Sequence, residues 1–179
     1  MLKKSLNELK EVKNLCMVAV LIAMNIVIRL IGNIRISAYL YISFSFLVSL
    51  IVGTMFGPVV ACLFGFLADV IGYFSLPQNG PFHWGFTLNS IVAVLIYAVG
   101  LYKIKLTLLR VVVVQIIHDV VVLIFLNNLW LSQMYFNNNF YKAFIARVLK
   151  QFITLPINCI LACCVAIILK RVVKNLKIG

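Results

Sequence analysis

Apolar runs of about twenty residues follow one another along almost the whole chain, the length a helix needs to cross the hydrocarbon core of a bilayer. Backbone N–H and C=O groups find no partner in lipid, and a run of this length satisfies them internally as a helix. The runs fall at about 14–30, 40–56, 58–74, 86–101, 107–131 and 144–173. Hydrophobic residues make up 64% of the chain and charged ones 11%, with a mean hydropathy of +1.12. A water-soluble globular domain and a disordered chain are both excluded by that balance. The expected fold is an all-α integral membrane protein with six transmembrane helices. It forms a single membrane domain over residues 1–179, with a basic cytoplasmic tail at 1–13.

Charge placement sets the expected orientation. The formal net charge is +12, from 16 Lys and Arg against 4 Asp and Glu. Lys3, Lys4, Lys10 and Lys13 precede the first run, Lys103, Lys105 and Arg110 surround one internal connection, and Lys170, Arg171, Lys174 and Lys177 follow the last. Basic residues gathered at alternate connections follow the positive-inside rule and place both termini in the cytoplasm. Topology thus accounts for the charge, and no nucleic-acid partner is expected. The first run has no small-residue cleavage site after it, so it reads as a helix that stays. The expected location is the cell membrane, spanned several times.

Gly57-Pro58 reads as a tight turn between the second and third runs, with Pro58 opening the next helix. Longer connections lie near 31–40, 75–85 and 131–141. Ala61, Gly65, Ala68 and Gly72 line one side of the third run, where a smooth ridge lets helices approach closely. Ala19 and Ala23 form a shorter ridge on the first run. That one suits internal packing or the helix of a partner protein equally.

Polar groups inside apolar runs carry the functional signal. Arg147, Gln151, Thr154 and Asn158 share a face of the last run, with Lys150 beside them. Two cations there, with no carboxylate near them in sequence, suggest an anionic guest; the alternative is snorkelling to the interface. Asp69 reads as a structural, paired or hydrogen-bonded carboxylate. His118 and Asp119, one turn from Gln115, read as part of an internal polar cluster. As neighbours they face different ways and make a poor acid–base pair.

Aromatics gather before the fourth run (Phe82, Trp84, Phe86) and after the fifth (Trp130, Tyr135). An interfacial belt explains them. So does a flat heteroaromatic ligand, since His83, Thr87, Asn89, Asn127, Asn128 and Ser132 lie alongside. No phosphate-cradling G-x-x-x-x-G-K-[ST] loop is present, so the chain has no ATP site of that kind. No nucleophile–base arrangement, metal-ligand spacing or cofactor motif stands out. The chain is expected not to be an enzyme and to hold no metal or cofactor. Cys16, Cys62, Cys159, Cys163 and Cys164 all lie in apolar runs and read as small packing residues.

One ordered series spans nearly the whole chain: Ser43-Phe-Ser-Phe46, Phe56-Gly-Pro58, Ala68-Asp69 with Gly72-Tyr73, Gly80-Pro-Phe-His-Trp-Gly-Phe-Thr-Leu88, Asn128-Leu-Trp-Leu-Ser132, then Arg147 and Lys150 with Leu155-Pro-Ile157. It resembles the folate-family S-components of energy-coupling factor (ECF) transporters. Tyr41 and Val48 depart from the family pattern. The resemblance implies a six-helix protein that captures a vitamin, most simply folate, and works with a membrane coupling subunit and two cytoplasmic ATPases. It carries the binding site to Trp84, Phe86, Thr87, Asn128, Trp130, Ser132, Arg147 and Lys150, and the coupling contact to Ala19 and Ala23. Alternatives are an S-component for another vitamin or pterin, or a small proton-coupled transporter using Asp69 or Asp119.

Overall fold

A computed structural model describes residues 11–31, 34–35, 41–42, 44–75, 82–104, 106–135 and 140–176. Helix α1 spans Val12–Ile31 and is followed by two short strands, β1 (Ile34–Arg35) and β2 (Tyr41–Ile42). These pair antiparallel, Ile34 opposite Ile42 and Arg35 opposite Tyr41. Then come α2 (Ser45–Ser75), α3 (Trp84–Leu101), α4 (Leu108–His118), a π-helical segment (Asp119–Leu126), α5 (Asn127–Tyr135) and α6 (Phe140–Leu176). Apart from the ladder, the regular secondary structure among the described residues is helical. Among those residues five helices are long and apolar enough to cross a membrane: Val12–Ile31, Ser45–Ser75, Trp84–Leu101, Leu108–Gln133 and Thr154–Arg171.

The second and third runs merge into α2, but Gly57 interrupts it with φ 73 and ψ 179. That positive φ is open to glycine at little cost, and Pro58 supplies the fixed φ of a new first turn. The chain doubles back there. Asn25 on α1 donates to the Ser45 carbonyl at 3.1 Å, and Arg29, one turn further along, lies 3.5 Å from Asp69. Asn25 and Arg29 are separated by about 6 Å of helix, whereas a straight α2 would hold Ser45 and Asp69 about 36 Å apart. Both contacts are met because α2 folds into two limbs, 45–56 and 58–75.

Several boundaries differ from the sequence expectation. The first limb begins at Ser45 instead of residue 40, because Tyr41 and Ile42 pair with β1. Helix α3 starts at Trp84, two residues earlier than expected, because the His83 imidazole caps it and accepts from the Gly85 N–H at 3.0 Å. The fifth run continues through its π-helical stretch to Tyr135. The last helix starts at Phe140 and runs on to Leu176.

Burial inverts the pattern of a water-soluble protein. Leu109, Val20, Phe152, Ile160 and Phe125 are exposed, whereas Asn25, Gln115, His118, Asp119, Asn128 and Asn158 are buried. An apolar surface around polar interior contacts is what lipid as the surrounding solvent demands. One apolar cluster joins α1 to both limbs of α2 and to α3 through Ile22, Val52, Phe64 and Val94. A second joins the first limb and α3 to α4 and α6 through Leu50, Tyr97, Val114 and Ala166. The small ridge faces inward as expected: Ala61 and Ala68 are buried, and the Gly65 position abuts the Ser90–Ile91 backbone of α3.

Candidate functional site

The aromatic residues at the start of α3 divide into two groups. Trp130 of α5 donates its indole N–H to Asn89 Oδ1 at 3.0 Å. Its ring rests on Gly85, where any Cβ would overlap the indole, so only glycine gives the ring this seat. The His83 ring lies 5.5 Å from Trp130, and Phe86 lies 5.9 Å from His83. Trp84, in contrast, is 70% exposed and meets Phe82 edge-on at 5.1 Å. Phe82 in turn contacts Tyr73 and Phe74. The two tryptophans thus belong to different clusters, Trp84 to an exposed aromatic edge and Trp130 to a polar seat.

Thr87 and Ser132 are buried with their hydroxyls engaged. Thr87 donates to Asp69 Oδ2 at 2.9 Å, and Ser132 donates to the Leu129 carbonyl at 2.7 Å. Asn128 donates to the Ile124 carbonyl at 2.8 Å, which leaves its Oδ1 buried without a partner. Among the described residues two other buried side-chain atoms share that condition, Gln151 Nε2 and Asn25 Oδ1. Each such group costs about 1–3 kcal/mol while it stays unpaired. An acceptor on α5 and a donor on α6 are what a polar guest between those helices would satisfy. Arg147 and Lys150 lie on α6 shortly before Gln151, and their side chains fall outside the described residues.

Asp69 is paired, as the sequence suggested: Thr87 and Ser90 donate to it, and Arg29 faces it. A second carboxylate, Asp119, is fully buried where α4 gives way to the π-helical segment. It accepts from Gln115 Nε2 at 3.0 Å and Asn158 Nδ2 at 3.3 Å, and the His118 Nδ1 lies 3.0 Å away. Tyr97 donates to Gln115 Oε1 at 2.8 Å, turning the amide so that its NH2 meets the carboxylate. The Tyr97 ring stacks on His118 at 4.9 Å. The polar cluster expected around Gln115 is present, with two corrections. His118 and Asp119 do touch, because these side chains reach back around the backbone at a point where the helix changes its hydrogen-bond register. Asn158 serves this cluster while sharing the inward α6 face with Thr154, so its amide is already engaged. Tyr97, missed in the sequence, is recognisable only from its position opposite Gln115.

Among the described residues no three His, Cys, Asp or Glu side chains gather as metal ligands. The cysteines are unpaired. Ala19 and Ala23 are exposed on α1, opposite its packing on α2 through Ile22 and Asn25.

An apolar exterior over an interior that also buries polar side chains, with helices long enough to cross a bilayer, defines a helical membrane protein. The chain belongs to the family of ECF transporter substrate-specific components, whose model matches residues 13–169. Members of that family are the substrate-binding parts of membrane transporters and not enzymes. Similar proteins include "Folate transporter FolT" of Clostridium novyi, 32% identical over 152 residues, covering 85% of this chain and 87% of the relative. The protein of that name from Leuconostoc mesenteroides is 32% identical over 124 residues, 66% of each chain. A crystal structure of FolT bound with folic acid superposes with a TM-score of 0.77 at 33% identity, covering 87% of this chain and 93% of that one.

Proposed function

We propose that this chain is the folate-binding S-component of an ECF importer in a prokaryotic cell membrane. The observation that carries the reading is its likeness, in sequence and in backbone, to FolT with folic acid bound. With the two limbs of α2 taken as separate spans the chain crosses six times, and its basic residues favour cytoplasmic termini, so the α3 start and the α5 end face outward. Trp130, held flat on Gly85, is the stacking surface for the pterin, with Phe86 closing beside it. Trp84 stands at the rim. Asn128 Oδ1 accepts from the ring edge, while Thr87 and Ser132 keep lone pairs free to accept. Arg147 and Lys150 take the glutamate carboxylates, for which a guanidinium offers two-point contact. The chain performs no chemistry on its ligand and, lacking a phosphate-cradling loop, depends on two cytoplasmic ATPases and a membrane coupling subunit. Ala19 and Ala23 meet that subunit.

Mass spectrometry of small molecules co-purifying with the protein, followed by titration of the stripped protein with folate, tests this. Saturable folate binding is expected. A different vitamin in the preparation, with no response to folate, overturns the choice of ligand.

A further inference from the structure

Asp69 divides its carboxylate between two neighbours of the second α2 limb. Oδ2 accepts from Thr87 at 2.9 Å, while Oδ1 accepts from Ser90 at 3.2 Å and lies 3.5 Å from the Arg29 guanidinium of α1. Thr87 and Ser90 are three residues apart on one face of α3, so two hydroxyls fasten the beginning of that helix to α2. Gly72 makes room for the arrangement, since a Cβ there would come within 3.1 Å of the guanidinium. The same stretch of α3 carries Gly85, which seats the Trp130 ring, and Asn89, which holds its N–H at 3.0 Å. A continuous line of contacts therefore leads from α1, through one carboxylate, to an indole two helices away. Helix α1 also presents Ala19 and Ala23 on its exposed side.

We infer that Arg29 is a positioning residue for the ligand site, acting through Asp69 on the first turns of α3 and through them on Trp130. The inference takes its ligand from the folate reading, but its geometry stands without it. The Asp69 side chain is 14% exposed. Without the guanidinium, the carboxylate keeps two hydroxyls, those of Thr87 and Ser90, as its partners among the described residues, and it recruits water to offset its charge. That redirects Thr87 and Ser90 and shifts the α3 start. The ligand site and the helix proposed to meet the coupling subunit are thus linked through one ion pair.

The chain has two tryptophans, so a Trp84→Phe background leaves Trp130 as the sole indole reporter. Arg29→Gln in that background is expected to shift the Trp130 emission maximum with no ligand present. In the otherwise native chain it is expected to weaken folate binding about tenfold, a typical coupling for residues in one contact network. Arg29→Lys, which restores the charge, is expected to bring both readings back towards wild type. A lower melting temperature with unchanged Trp130 emission would overturn the inference, because a merely structural pair predicts that result. If Arg29→Gln does not fold, Ser90→Ala removes one link while keeping the ion pair, and an unshifted emission in that variant overturns it equally. Wild-type protein that ignores folate sinks the proposed function, and the emission arm still decides the role of Arg29.

Discussion

The two carboxylates are stabilised by opposite means. Asp69 lies where a guanidinium can reach it, and a cation with two hydroxyls shares its charge among three helical segments. Asp119 has no Lys or Arg partner among the described residues; two amides, an imidazole and a second-layer tyrosine surround it. In a low-dielectric interior a Lys or Arg partner carries a larger desolvation cost than an amide does. The fully buried carboxylate is held by amides with an imidazole beside it, and the partly exposed one by hydroxyls with a guanidinium beside it. The Asp119 cluster joins α3, α4 and α6. The Asp69 contacts join α1 and α3 to the second limb of α2.

If that contrast is right, Asp119→Ala has the largest effect. It leaves the Gln115, Asn158 and His118 donors buried together without an acceptor. A loss of about 3 kcal/mol or more is expected, since each buried group left unpaired costs about 1–3 kcal/mol. Thermal or denaturant unfolding in detergent reads it, and a variant as stable as wild type would show that the cluster is dispensable. Arg147→Ala should give the converse signature, with folate binding weakened by about 2–4 kcal/mol and stability nearly unchanged. Lys150→Ala should cost less, and equal affinities across all three proteins in a folate titration would remove both cations from the site.

Asp69→Asn is a gentler change, since the amide keeps the shape and can still bond both hydroxyls. Only the charge attraction to Arg29 is lost, about 1 kcal/mol at a partly exposed pair. Substantial ATP-driven uptake should remain in vesicles whose proton gradient has been collapsed. Loss of uptake on adding the uncoupler, with ATP still present, would instead favour a proton-coupled carrier. Smallest of all on the isolated protein is the paired change Ala19→Leu with Ala23→Leu. Both positions are exposed and away from either carboxylate, so folate affinity should stay within about twofold, as for surface changes generally. Uptake should nevertheless fail, because larger side chains hold two helix backbones apart. Undiminished co-purification with the ATPase module would contradict that.

Much of this was legible in the sequence wherever a local rule applied. The span lengths follow from hydropathy, the reversal from Gly57-Pro58, and the inward ridge from Ala61, Gly65 and Ala68. Asp69 could be read as paired or hydrogen-bonded because an isolated carboxylate inside a bilayer is costly. What stayed hidden depends on partners distant in the chain. The stretch Asp119–Leu126 is apolar apart from its first residue, so no periodicity announces its π-helical register. Asn158 fits the α6 stripe by spacing, yet Asp119 claims it from 39 residues away. Trp84 and Trp130 look equivalent in sequence, and only the Gly85 seat and the Asn89 acceptor distinguish them.

The reversal at Gly57 also bears on how the protein is made. No Lys or Arg occurs between Arg35 and Lys103, so both limbs of α2 and all of α3 emerge from the ribosome without a basic residue to orient them. Orientation during insertion depends on such residues near the ends of a span. The doubled-back helix enters the bilayer with no basic residue of its own, and the basic residues that bear on its orientation are those synthesised ahead of it, Arg35 the last of them. The next to emerge are Lys103, Lys105 and Arg110. Moving basic residues into the Gly57 turn would let that hairpin choose a side by itself, and biosynthesis would then no longer wait for α3.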